Sequence, residues 1–315
     1  MDTLFDILAH RRPHGSDTEE ACIAKHLDSL PKMTSDGFGN RILTIGKNPT
    51  VMFSSHTDTV HRDDGMQALF IDKTREEVFS GNSNSLGADD GAGIWLMLQM
   101  IKAGKRGLYV FHRGEECGGL GSQYIRDSTP ELLDGIKYCI AFDRKGYEDV
   151  ITHQWSGRGC SETFATALSA ALGGAYMPDS TGIFTDSDNY TDTIPECTNI
   201  SVGYFDEHTA LERLDYGFLG KLADKLRRIS WETLPVERDP SIPSAANDYG
   251  WPTYNKGVLL PKDDELQWDT HSDEYWADQD FEHECLYEWV ISHPLEATDA
   301  LLDSGYTALT LQRAS

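Results

Sequence analysis

The chain has 315 residues, 39% of them hydrophobic, which is enough for one large domain or one domain with an appendage. Its 52 acidic residues outweigh 27 basic ones, giving a net charge of −25. That balance argues against binding nucleic acid through phosphates, which needs a basic face. No apolar run reaches the ~18 residues of a membrane span. The opening MDTLFDILAHRRPHGSDTEE has an amphipathic pattern but no basic stretch ahead of an apolar core, so no leader and no membrane are expected, with a cytoplasmic location by default.

In chain order, residues 18–30 have helical spacing with an acidic first turn that suits the helix dipole. DGFGN (36–40) is a turn, and RILTIG (41–46) and VMFSSH (51–56) read as strands. ALFID (68–72) and EVFS (77–80) flank a polar turn and predict a hairpin. A helix follows over 91–104 with Gly104 as its stop, then a short buried strand, LYVFH (108–112), and a helix opening at GSQYIRDS. YCIAFD (138–143) is another buried strand, 161–172 a helix, NISVGY (199–204) a strand, and 214–231 a last helix. Strands alternating with helices predict a three-layer α/β/α sandwich around a mixed, mainly parallel sheet.

The texture changes near residue 235. ERDPSIPSAANDYGWPTYNKG is rich in Pro, Gly, Ser and Asn, and the acidic remainder carries about half of the net negative charge. The organisation expected is a catalytic domain over 1–235 and a C-terminal extension over 236–315. The aromatics of the extension (Trp251, Tyr254, Trp268, Tyr275, Trp276, Phe281, Tyr287, Trp289) favour packing over full disorder. The six cysteines (Cys22, Cys117, Cys139, Cys160, Cys197, Cys285) are scattered without a CxxC pair and read as reduced structural thiols.

Five segments place an acid or histidine at or just beyond an expected strand end: SSHTDTV (54–60), GADDGAG (87–93), RGEECGG (113–119), AFDRKG (141–146) and DEHTALE (206–212). Ligands of open α/β sheets bind beyond the carboxyl ends of the strands, so these segments can meet there. Each alone has an ordinary reading: a histidine beside an acid, a turn before a helix, a solvated pair of glutamates, a capping aspartate, a surface histidine. Together they supply two imidazoles and several carboxylates, the donors zinc takes in hydrolytic sites.

The ordered set HxD, Gly-rich segment with Asp, Glu-Glu, Asp, His resembles the co-catalytic zinc exopeptidases, a group with bacterial leucyl aminopeptidases, tripeptidase, and carboxypeptidase and deacylase relatives. The likeness covers about residues 1–232, and RRPHGSDTEE, DGFGN and PTVMFSSHTDTV are similar to the family's N-terminal region. The resemblance implies two Zn2+ per chain, with Co2+ or Mn2+ also suited to the donors. It implies Asp89 as the bridging ligand, His56 and Asp143 completing one site, and Glu116 and His208 the other. Asp58 would accept the second N–H of His56. Glu115 would be the general base, taking a proton from the attacking water and delivering it to the leaving amine. Asp90 beside Asp89, and Glu115 against Glu116, leave those assignments to the resemblance. FTDSDNYTD (184–192) falls where relatives place substrate-contacting groups, with Tyr190 or Asp188 as candidates or simply a polar loop. His61 and His112 read as supporting or structural, Gly157-Arg158-Gly159 is too short for a phosphate loop, and HEC (283–285) lacks a spaced partner.

Asp143 and His208 lie 65 residues apart, too few for the lid domain that several relatives insert between these ligands, which points to a single-domain form. The expected substrate is a short peptide or, alternatively, an acylated amino acid. A binding protein on a retired peptidase scaffold is the remaining alternative, opposed by the presence of the whole ligand set and Glu115. The oligomeric state is left open.

Overall fold

The computed structural model describes residues 1–81 and 84–242. The extension expected from 236 therefore lies outside the described residues beyond 242, as do HEC (283–285) and Cys285.

Four strands form the parallel centre of an eight-stranded sheet, in the order Glu196–Ser201, Tyr138–Arg144, Val51–His56, Gly107–His112. Arg41–Ile45 and then Thr34–Ser35 add antiparallel on one side. Asp149–Ile151 adds antiparallel on the other and pairs in parallel with Met177–Asp179 at the edge. The sheet is thus mixed and mainly parallel at its centre. A second sheet, of four antiparallel strands, joins the 69–72/77–80 hairpin to Arg213–Asp215 and Tyr204–Phe205.

The central strands are buried on both faces, and their side chains alternate between two cores as the pleat requires. Val51, Phe53, Tyr109, Phe111, Tyr138, Ile140 and Phe142 point into the larger core, which also takes residues of helices Asp2–Leu8, Asp17–His26, Ala88–Lys102, Glu162–Ala171 and Tyr216–Leu226. Met52, Leu108, Val110, Cys139 and Cys197 point the opposite way, against Ile125 of helix Leu120–Ser128 and Leu133, Tyr190 and Ile194. Helices on each face make the three layers expected. Among the described residues no helix is long and apolar enough to cross a membrane, and the described cysteines are free thiols.

Several details differ from the sequence reading; the helices expected over 18–30 and 214–231, for example, run over Asp17–His26 and Tyr216–Leu226. The first helix, Asp2–Leu8, forms where only an amphipathic pattern was noted, and it buries Leu4, Ile7 and Leu8. The strand expected at 199–204 starts at Glu196 and ends at Ser201. Its polar start is tolerated because the buried Glu196 carboxylate accepts the Ser161 N–H at 2.6 Å and the N–H groups of Glu237 and Arg238 at 2.7 and 3.1 Å. Those contacts also hold Glu237 and Arg238 against the sheet. The edge strands 149–151 and 177–179 are three residues each, too short and polar to show a period.

Phe53 sits at the centre of the larger core, with ring centroids of Tyr109 and Trp231 at 5.0 Å and Phe142 at 6.0 Å. Phe53→Ala is expected to cost about 3–5 kcal/mol, read from chemical denaturation. Phe70→Ala, at a residue 64% exposed, is expected to change stability by less than about 0.5 kcal/mol.

Candidate metal centre

All four parallel strands end on the same edge of the sheet, and the chain crosses that edge at His56, His112, Asp143 and Ser201. His56 and Asp143 stand on strand residues. The other expected ligands come from loops converging on them.

Asp89 lies at the start of the 88–102 helix, but it and Asp90 have non-helical backbone angles, and the peptide between them is cis. This segment does not follow a strand of the central sheet, as the sequence reading had it; it opens a helix. Asp90 turns inward, accepting the Gly93 N–H at 2.9 Å and the His56 N–H at 3.3 Å, and so caps the regular helix. Gly93 is required there, because a Cβ would lie 2.4 Å from the Asp90 carboxylate and 2.6 Å from the Phe142 carbonyl oxygen. Asp89 turns outward. Its Oδ1 is 3.0 Å from His56 Nε2 and its Oδ2 3.1 Å from His208 Nε2.

His56 Nε2 is also 3.6 Å from Asp143 Oδ1, and His208 Nε2 3.3 Å from Glu116 Oε1. Two ligand-like groups result, His56/Asp89/Asp143 and Asp89/Glu116/His208, each with one donor atom per residue within 4.8 Å of the others. Glu115 joins His56 and Glu116 in a third such group. His14, Glu19 and Asp58 form a fourth, but Glu19 is already bound to Arg113 at 2.7 Å, which disfavours a metal ion there.

Asp58 is fully buried, and its carboxylate accepts the Glu115 and Glu116 N–H groups, both at 3.1 Å. Its contact with His56 runs mainly through the main chain: His56 Nδ1 is 3.1 Å from the Asp58 carbonyl oxygen and 3.7 Å from its carboxylate. Asp143 is fixed from three sides, by Thr185 Oγ1 at 2.6 Å, Tyr204 Oη at 3.1 Å, and Asn199, whose side-chain amide bonds both main-chain groups of Asp143.

Burial alone would lower the proton affinity of His56, but Asp143, Asp58 and Asp89 hold it well above the usual imidazole range. His208 behaves alike: burial opposes protonation, and Glu116 and Asp89 overcome it. For Glu115, burial comes first and the charges of Asp143, Glu116 and Asp186 add to it, so this carboxyl binds its proton far above the usual range. Asp143 is pushed up to about 7 by burial and by Asp89.

Tyr190 and Asp188 face other partners. Tyr190 Oη meets His112 Nε2 at 2.8 Å within the second core, and Asp188 accepts the Ser156 N–H at 3.2 Å. His61 is structural: burial and the nearby Arg12 push it down to about 4, so the ring is neutral, accepting from Thr59 and donating to the Ser85 carbonyl at 2.9 Å. The sequence reading missed Thr185, Asn199, Tyr204 and Glu212. Glu212 and Thr185 carried a signal, the first as an acid within the same DEHTALE segment as His208 and the second within FTDSDNYTD.

Asp58→Asn would turn an NH2 group onto one of the two amides its carboxylate now satisfies. The expected cost is about 1–3 kcal/mol in metal-free protein, read as a lower denaturation midpoint.

Residues 40–234 match the family model described as Peptidase family M28. Among solved structures the fold is similar to a tripeptidase from Staphylococcus aureus (TM-score 0.60, 15% identity, covering 72% of this chain and 95% of that one). It is similar also to aminopeptidase PepT from Bacillus cereus (0.57, 15%, 72% and 95%) and to the TET1 peptidase of Pyrococcus horikoshii (0.54, 15%, 72% and 97%). No curated protein matches the sequence. The chain belongs to peptidase family M28 and is a metallo-exopeptidase.

Proposed function

We propose that this chain is an aminopeptidase that removes N-terminal residues from short peptides, using a pair of zinc ions held between His56, Asp89, Asp143, Glu116 and His208. The observation that carries this reading is the shared carboxylate, since each oxygen of Asp89 faces a different imidazole and each imidazole faces a further carboxylate. The donor chemistry fits zinc, and Co2+ or Mn2+ suit the same donors. Glu116 Oε1 is buried with no well-formed hydrogen bond, its nearest partner being His208 Nε2 at 3.3 Å, and a cation between the two would satisfy both.

Zinc in such a site supplies a water of lowered pKa and polarises the scissile carbonyl. Glu115 then takes the proton of the attacking water as the C–O bond forms, and gives it to the departing nitrogen as the C–N bond breaks. Glu115 is available as a base only once cations at the site offset the burial and neighbouring charges that otherwise keep it protonated. Asp58 positions Glu115 and Glu116 through their amides.

The similar solved structures are a tripeptidase and an aminopeptidase, and that supports peptides over acylated amino acids as the substrate class.

The test is elemental mass spectrometry on untagged protein, joined to a peptide panel. About two zincs per chain, falling sharply in Asp89→Ala, and release of N-terminal residues are expected. No bound metal after zinc is supplied would overturn the reading. Glu115→Gln should retain its zinc and lose about 10²–10⁴-fold in kcat; unchanged turnover would remove Glu115 as the base.

A pH effect follows from the histidines. Their folded-state proton affinity is raised, so they stay protonated in the metal-free protein above the usual imidazole range. Zinc needs them neutral and displaces those protons, so its affinity rises with pH. The increase in Tm on adding zinc should accordingly be larger at pH 8 than at pH 6, as measured by differential scanning fluorimetry. An increase that shrinks with rising pH would contradict protonated histidines.

A further inference from the structure

Glu212 is 1% exposed, and it lies against the turn that carries Asp89. Its Oε2 accepts the Ser85 hydroxyl at 2.5 Å and the N–H groups of Leu86 and Gly87 at 2.7 and 2.9 Å. Its Oε1 accepts the N–H groups of Ala88 and Asp89 at 2.7 and 3.1 Å. One carboxylate thus gathers the successive main-chain donors from 86 to 89. The carbonyls of the same turn are held from other directions: Arg12 donates to Gly87 at 3.0 Å and His61 to Ser85 at 2.9 Å.

Glu212 also closes the short loop that carries His208. The Glu212 N–H bonds the Thr209 carbonyl at 3.2 Å, and the Thr209 hydroxyl donates to the Asp206 carbonyl at 2.7 Å, so 206–212 is closed on itself. The two segments also leave adjacent strands, since Arg213–Asp215 pairs with Glu77–Ser80. His208 itself has a left-handed backbone (φ 62°), which a non-glycine residue keeps only when its surroundings impose it.

We propose that Glu212 is a positioning residue that locks Asp89 and His208 into one unit. On the two-zinc reading above, on which this rests, the loop-borne position (Asp89, Glu116, His208) depends on Glu212 far more than the position built on the sheet (His56, Asp89, Asp143). His56 and Asp143 are held by the parallel ladder and by Asn199, whereas His208 stands on a loop tied by side chains, with Lys145 on Glu207 at 2.6 Å and Arg213 on Asp206 beside the Glu212 carboxylate. Removing the Glu212 charge frees that loop and the Asp89 oxygen facing it.

The test is zinc titration of the full chain by calorimetry, with bound zinc counted by elemental mass spectrometry. Glu212→Gln keeps the shape but turns an NH2 group onto N–H donors. It is expected to keep one tightly bound zinc and to bind the second about 10–100-fold more weakly. Glu196→Gln is the control. Glu196 is equally buried and also satisfied by main-chain donors, but it stands at the amino end of its strand. Its substitution should lower Tm and leave both zinc affinities unchanged, an outcome a general packing role for Glu212 would not produce. Ser85→Ala, which removes one of the donors, should weaken the second zinc in the same direction by less, and it carries the test if Glu212→Gln does not fold. Wild-type affinities for both ions in Glu212→Gln or Ser85→Ala, or equal loss at both positions in Glu212→Gln and Glu196→Gln alike, would overturn the proposal while leaving the two-zinc reading intact. Wild-type protein taking up fewer than two ions would overturn both.

Discussion

Crowding carboxylates at one edge of a sheet is costly, and much of the local structure answers that cost. Asp90, Glu115, Glu116, Asp143 and Glu212 are all pushed toward the protonated form, with burial the largest cause in each. The acids divide into two kinds. Asp58, Asp90 and Glu212 turn their oxygens to main-chain N–H groups, which offset part of the cost of burying them. Asp89 and Glu116 turn theirs toward imidazoles, and Asp143 shares its own between an imidazole and two hydroxyls. The first kind builds the site. The second is what remains for a cation to neutralise.

The same division explains the cations buried nearby. Arg12 is fully buried, and its guanidinium donates to the carbonyls of Ile7, His10, Thr57 and Gly87. It therefore contributes charge without occupying a carboxylate, and it staples the N-terminal segment to the loops on which His56 and Asp89 depend. Arg113 instead takes Glu19, which also accepts the Gly15 N–H and the hydroxyl of Thr57, next to His56, both at 2.6 Å. Carboxylates further from the centre are neutralised by arginine, and those at the centre are left without one. A site arranged for a divalent cation needs this gradient, because an arginine at the centre would compete with the metal.

The strands that carry His56 and Asp143 were legible because a doubly buried parallel strand is a short apolar run, and VMFSSH and YCIAFD end in polar residues at the edge of the sheet. The 51–56 strand has the bounds read from its sequence. The hairpin at 69–80 was legible from its turn. The start of the 196–201 strand was not, because the acid of Glu196 is satisfied by groups distant in sequence. In the site, the acid–histidine segments could be listed, but Asp89 against Asp90 could not be separated by pattern: one caps a helix and the other faces two imidazoles, and both look alike as letters.

Residues that hold the loops were the least legible, for a physical reason. Thr185, Asn199 and Tyr204 act by single hydrogen bonds to Asp143, and Glu212 acts by accepting main-chain N–H groups that every non-proline residue owns. Such partners leave no spacing or composition signal, because what they recognise is a backbone conformation rather than a residue type. A strand-borne ligand inherits its placement from the sheet, and the sheet is written in hydrophobic runs. A loop-borne ligand inherits its placement from a few buried polar contacts, and these emerge only once the chain is folded. The half of the site built on strands is therefore the half that sequence pattern reaches, and the half built on loops is the one whose affinity single polar substitutions should tune.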